Sequence, residues 1–109
     1  MKNLKDIAEK LDLKLLCGTL DREVGGCYAG DLLSWVMSNA TEGDIWITIM
    51  SNINVVAVAG LTDRACVVMS EGVTPDEDVL QVAKAKGVTI FTDNRSTFEL
   101  CCLVGKEPL

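Results

Sequence analysis

Apolar residues along this chain fall into two alternating rhythms. Leu4, Ile7, Ala8 and Leu11 recur at helical spacing on one face, and Asn3 stands where a cap is needed. "LKLLCG" then predicts a short strand ending at Gly18. A long glycine-containing loop follows, and Leu32, Leu33, Val36, Met37 and Ala40 form the expected buried stripe of a second helix with Asp31 at its N-cap. "DIWITI" and "ACVVM" are β-branched or apolar throughout, as in strands covered on both faces. Between them, "SNINVVAVAGLTD" fits either a hairpin strand or a helix capped by Ser51 or Asn52. The helix is preferred, because parallel neighbours need a crossover of about a dozen residues.

In "VTPDEDVLQVAKAKG", Thr74 is the expected N-cap, with Pro75 at the first helical position, Glu77 completing a capping box and Gly87 just past the end. "VTIFT" is the last strand. Ser96 and Glu99 form a second capping box, opening a helix through Phe98, Cys101 or Cys102, and Val104. Strand and helix thus alternate about four times. This predicts an α/β fold: a three-layer α/β/α arrangement with a mostly parallel four-stranded sheet and right-handed crossovers.

Composition narrows the role. The 109 residues suit one domain, 1–109, and 49% apolar content against 24% charged argues for a packed globule. A net charge of −6 with scattered Lys and Arg excludes a phosphate-tracking surface, so no nucleic acid is expected, and an acidic face gains nothing from an anionic membrane. The N-terminus carries Asp6, Glu9 and Asp12 and does not read as a signal peptide, and no apolar run reaches membrane-spanning length. A cytoplasmic protein with five reduced cysteines is expected.

The stretch Gly25 to Ser34, Gly-Gly-x-Tyr-x-Gly-Asp-Leu-Leu-Ser, together with the run Asn54 to Ala59, resembles a DRTGG domain over about Leu13 to Val104. Asp21 and Arg22 are separated from Gly25 and Gly26 by Glu23 and Val24, so the motif that names the family is interrupted, and Trp35 stands where similar sequences carry a polar residue. The resemblance implies a fold shared with the non-catalytic N-terminal domain of HPr kinase/phosphorylase. It implies a regulatory or ligand-sensing module rather than an enzyme, of the kind that accompanies CBS domains in regulated pyrophosphatases and often self-associates. A homodimer or a partner enzyme is therefore expected, and a small nucleotide-like ligand. Small stand-alone versions are similar to proteins beside hydrogenase and electron-transfer components, which leaves a thiol-based redox accessory role as the alternative.

The chemistry-bearing residues support binding more than catalysis. Gly25-Gly26-x-x-x-Gly30 lacks the spacing of a dinucleotide fingerprint and the Lys-Ser/Thr of a P-loop. The loop either seats and caps the helix or rims a pocket, with Tyr28 stacking on a ring and Asp31 accepting a hydroxyl. Ligands of open α/β sheets bind beyond the carboxyl ends of the strands. The candidate ligand-binding residues there are Gly25, Gly26, Tyr28, Asp31, Ser51, Asn52, Thr92, Asp93, Asn94 and Arg95. Without histidine there is no triad and no mixed zinc site. Cys17 and Cys66 are expected on parallel strands at opposite sheet ends, on the order of 15 Å apart, so no metal and no cofactor are expected. Cys27 is the thiol placed for exposure and reactivity, and Cys101 and Cys102 point apart on one helix. Trp35 beside the Leu32/Val36 stripe is a subunit contact or edge-of-core packing.

Overall fold

A computed structural model describes residues 2–109. The elements in order are β1 (Lys2–Asn3), α1 (Leu4–Leu11), β2 (Lys14–Cys17), β3 (Glu23–Val24), β4 (Gly26–Ala29), α2 (Leu33–Asn39), β5 (Asp44–Thr48), α3 (Ile53–Leu61), β6 (Cys66–Met69), α4 (Glu77–Lys86), β7 (Ile90–Thr92) and α5 (Thr97–Gly105). The main sheet runs β2-β7-β6-β5-β4, and β1 pairs with β3 in a two-stranded ribbon.

The architecture is mixed α/β and mostly parallel, but the sheet has five strands rather than four. The fourth parallel strand is β4, which lies inside the glycine-rich stretch read as loop; it pairs with β5 from Gly26 opposite Asp44 to Ala29 opposite Ile47. The first expected strand, β2, is antiparallel to β7, with Lys14 opposite Thr92. The segment left ambiguous is a helix, α3, whose cap Asn52 accepts a hydrogen bond from the Asn54 amide at 2.9 Å.

Each face of the sheet has its own core. Alternation along β5 sends Ile45 and Ile47 to one side with Cys66, Val68 and Phe91, where they meet Leu4, Ile7 and Leu11 of α1 and Leu100 and Val104 of α5. Trp46 points to the other side with Val67, Met69 and Ile90, under Val36 of α2, Val55 and Val56 of α3 and Ala83 of α4. Burial on both faces is why "DIWIT" shows no polar stripe.

Three local expectations are corrected. Asp31 does not cap α2; the N-cap is Leu32, with no side-chain cap bond, and Leu32 and Met37 are exposed, leaving Val36 as the fully buried residue of that helix. The helix expected from Thr74 begins at Glu77 with Asp76 as its N-cap and no capping-box bond, because the preceding residues fold as a turn behind β6. Cys17 and Cys66 lie at the same end of the sheet, since β2 runs backwards: Cys17 stands opposite Ile90 and Cys66 beside Ile45, on opposite faces.

Polar ties secure the ends. Buried Arg64 donates to the carbonyls of Val36 and Thr41, satisfying the end of α2, while the Asp44 carboxylate accepts from the Thr41 amide at 2.7 Å and hydroxyl at 3.0 Å. Gly18, with φ of 98°, lets the chain leave β2 against Thr89; a Cβ there would lie 2.4 Å from the Thr89 Cα. Gly18→Ala is expected to cost about 2–4 kcal/mol in urea unfolding. Gly105→Ala, where a Cβ meets nothing within 4 Å, is expected to be neutral or stabilising by about 0.5–1 kcal/mol.

Candidate functional site

The connections after β6 and β7 leave toward opposite faces of the sheet. β6 feeds the turn Ser70–Asp76 and then α4, on the Trp46 side, whereas β7 feeds Asp93–Ser96 and then α5, on the Ile45 side. Adjacent parallel strands whose connections diverge leave a crevice at their carboxyl ends. A pocket of about 360 Å³ occupies that place, lined by Asp12, Lys14, Gly72, Thr74, Thr92, Asp93, Asn94 and Arg95.

Backbone pairing fixes its floor. Glu71 and Gly72 both take left-handed backbone, with φ of 60° and 74°. Their amides thereby reach the Arg95 and Asp93 carbonyls, each at 2.9 Å. The Asp93 amide returns a bond to the Met69 carbonyl at 3.0 Å, and the Thr92 hydroxyl donates to the Val73 carbonyl at 2.8 Å. The Ser70 and Thr97 hydroxyls lie 2.6 Å apart, and the Glu71 carboxylate accepts from the Thr97 amide at 3.0 Å. Asp12, in left-handed backbone at the end of α1, and Lys14, on β2, complete the wall.

Arg95 and Asp93 grip each other through two bonds, Nε to Oδ1 at 2.8 Å and Nη2 to Oδ2 at 2.7 Å. That pairing holds the Asp93 carboxyl below the ordinary range and raises the Arg95 guanidinium above its own. Arg95 also donates to the Leu11 carbonyl, fastening the end of α1 to the β7 loop. The ion pair is therefore a strut, and the groups presented at the rim are the exposed Lys14, Thr74, Asn94 and Asp12. Two cations and two carboxylates surround a space with no thiol and no histidine. The arrangement can bind a small polar molecule through hydrogen bonds, and it contains no nucleophile paired with a general base.

Of the ten candidate residues, Thr92, Asp93, Asn94 and Arg95 meet in this crevice. Gly25 and Gly26 lie at the opposite end of the sheet, the Gly25 amide bonded to the Gly43 carbonyl at 3.1 Å. Tyr28 is half-buried on β4, its ring against Gly30. Asp31 ties the end of β4 to β5, accepting from the Thr48 hydroxyl at 2.7 Å and the Ile49 amide at 2.9 Å. Ser51 and Asn52 follow β5, the strand to which Asp31 is tied. With strands about 4.8 Å apart, β4 lies on the order of 14 Å from β7, too far for one small ligand to touch both. Asp12, Lys14, Gly72 and Thr74 were not anticipated. The Glu-Gly turn behind "ACVVM" was a usable signal for Gly72, but Asp12 and Lys14 enter only because β2 is antiparallel.

The interrupted Asp21-Arg22 element has a structural task. Arg22 donates to the Asp63 carboxylate and the Arg64 carbonyl, each at 3.1 Å, pinning the loop to the α3–β6 turn. Cys27 is exposed, yet its thiol is pushed up to about 12, first by desolvation against the protein and then by Cys101 and Asp44. Burial also raises the Cys17, Cys66 and Cys101 thiols. None of these four is activated as a thiolate. Among the described residues, no group of three or more Cys, Asp or Glu side chains is arranged to hold a metal ion.

One comparison bears on the fold. The chain superposes on a crystal structure of the CBS and DRTGG domains of the regulatory region of Clostridium perfringens pyrophosphatase, complexed with its activator diadenosine tetraphosphate. The TM-score is 0.70 over 94% of this chain, at 17% sequence identity. The fold is DRTGG-like. The chain spans 45% of that structure's length. No family model matches the sequence, and no curated protein does.

Asp93, Asp63 and Glu107 share one titration behaviour. Hydrogen bonds from Arg95, from Arg22 and from Lys2 with Lys10 hold their carboxyls low in the folded protein. Depressed carboxylate pKa values stabilise the fold above the unfolded value near 4, and that contribution is lost as pH falls through the folded values. Unfolding midpoints should therefore drop below about pH 4, and Asp93→Asn should flatten part of that decline.

Proposed function

We propose that this DRTGG-like chain is a non-catalytic regulatory module that binds a small polar, nucleotide-like ligand in the β6–β7 crevice. Self-association or contact with a partner enzyme would carry the response, in the cytoplasm. The carrying observation is the crevice itself: diverging connections place Asn94, Thr74, Lys14 and Asp12 around one pocket beside a rigid Asp93–Arg95 strut. Amide and hydroxyl groups suit a base edge, Asp12 suits sugar hydroxyls, and Lys14 suits a phosphate. The fold likeness to part of a regulatory region crystallised with a dinucleotide activator supports the same reading. Among the described residues, no helix is long and apolar enough to cross a membrane.

Adenine nucleotides and dinucleoside polyphosphates, titrated in a thermal-shift assay, test this. A ligand at 100 times its Kd should stabilise the fold by about 2.7 kcal/mol. The Lys14→Ala/Asn94→Ala double variant should fold normally and lose at least about tenfold in affinity, the equivalent of one or two hydrogen bonds. Absence of any shift, or a shift that survives the double variant unchanged, would refute binding in the crevice.

A further inference from the structure

Charge is distributed very unevenly along this acidic chain. Between Val24 and Thr62 there is no Lys or Arg, and the only acids are Asp31, Glu42 and Asp44, of which Asp44 is buried. That stretch builds β4, α2, β5 and α3, and neither α2 nor α3 carries a charged side chain. In their place α2 and its flanks present apolar groups to water: Leu32 is 60% exposed, Trp35 61% and Met37 52%, with Ile49 and Ile53 nearly half exposed. The Asp31 bond to the Ile49 amide holds Ile49 beside the start of α2. Leu32 and Trp35, three residues apart, share one flank of α2, with Ile49 beside its start, whereas Met37, two residues from Trp35, turns to the other flank. Exposed apolar groups gathered where charge is absent mark a contact surface.

The same side of the molecule ends in an open strand. β4 is the edge of the sheet beyond β5. The Gly30 amide bonds inward to the Ile47 carbonyl at 3.1 Å. The two-residue alternation of a parallel ladder turns the Tyr28 amide inward as well, and the Cys27 and Ala29 amides outward. Soluble proteins guard such edges with Lys, Pro or charge. The other edge, β2, has Lys14, whereas Gly25 to Gly30 has no charged residue and no proline.

We propose that the β4 edge and the apolar face of α2 form a homodimer interface, in which two copies pair their β4 strands antiparallel across a twofold axis. A second copy is the occupant that fits the charge pattern. Two chains of net charge −6 repel over most of their surfaces, and this neutral face is where they meet without opposing like charges. The twofold also brings α2 beside its counterpart, covering Trp35. This inference rests on the self-association part of the function proposed above and is independent of its ligand.

Light scattering with size exclusion should give the wild-type chain twice its 11.8 kDa mass. Trp35→Glu should weaken the dimer on the order of 30-fold or more, the scale of a truncated aromatic anchor. If that variant does not fold, Leu32→Lys on the same face serves instead. Hydrogen exchange supplies the second readout: the outward Cys27 and Ala29 amides should be protected in the dimer and exchange rapidly in the dissociated variant. A monomeric wild type, a dimer indifferent to the substitution, or a dimer with unprotected Cys27 and Ala29 amides would overturn the proposal. Ligand-induced thermal shifts persisting in the Trp35→Glu monomer would separate such a failure from failure of the ligand reading.

Discussion

The handedness of the crossovers governs this molecule. β4, β5, β6 and β7 are laid down side by side in chain order, and each step between them is a parallel connection through a helix. Right-handed crossovers that always advance in one direction put every connecting helix on the same face. α2, α3 and α4 accordingly share the Trp46 side, and the Ile45 side would be bare without α1 and α5. α1 comes from before the parallel run and α5 from after it. Because α5 must cross to the uncovered face, the chain leaving β7 diverges from the chain leaving β6, and a crevice opens between them. The march also has two ends. β2 closes one by pairing antiparallel with β7; among the described residues no strand pairs with the outer edge of β4.

That same plan explains where polar groups are buried. Where a helix must end against the sheet, its terminal carbonyls need donors, and Arg64 supplies them for α2. Where two loops must stay apart, each needs a fixed shape. The Glu71-Gly72 turn and the Asp93–Arg95 pair supply it with short, mostly local bonds. Such bonds each contribute only about 1 kcal/mol net, but leaving their buried partners unmet would cost more. Their value to the crevice is rigidity: a pocket whose walls are already bonded loses little entropy when occupied.

Much of the fold was legible because burial writes itself into periodicity. β5 and β6 show as unbroken apolar runs, α1 shows as a one-faced helix, and the Ser96 cap is visible three residues before Glu99, whose amide it accepts at 3.1 Å. The misreadings share a cause. β4 is short, glycine-rich and covered on one edge only, so Gly-Cys-Tyr-Ala lacks the β-branched signal of a central strand and reads as loop. Once that strand is missed, β2 must be counted among the parallel four, and its direction comes out reversed. Lys14 then cannot be placed beside Thr92, and the crevice loses a wall. The stripe on α2 fails for a related reason. Periodicity locates apolar residues without saying what covers them, and on this edge helix Val36 is fully buried with Leu33 and Ala40 half-covered beside it, while Leu32 and Met37 stay exposed.

The crevice and the open edge lie at opposite sides of the sheet, with β6 and β5 between them. Dimerisation through β4 and α2 would leave the mouth between Gly72 and Asn94 unobstructed, so ligand entry does not require dissociation. Any influence of one site on the other must then travel through the sheet or across the packed row of α4, α3 and α2. The sheet, close-packed and densely bonded, passes strain along with little local give. The helical row is the other continuous route. α4 follows directly from the turn that floors the crevice, α3 packs between it and α2, and α2 is anchored by one fully buried side chain and by the Arg64 bonds at its end.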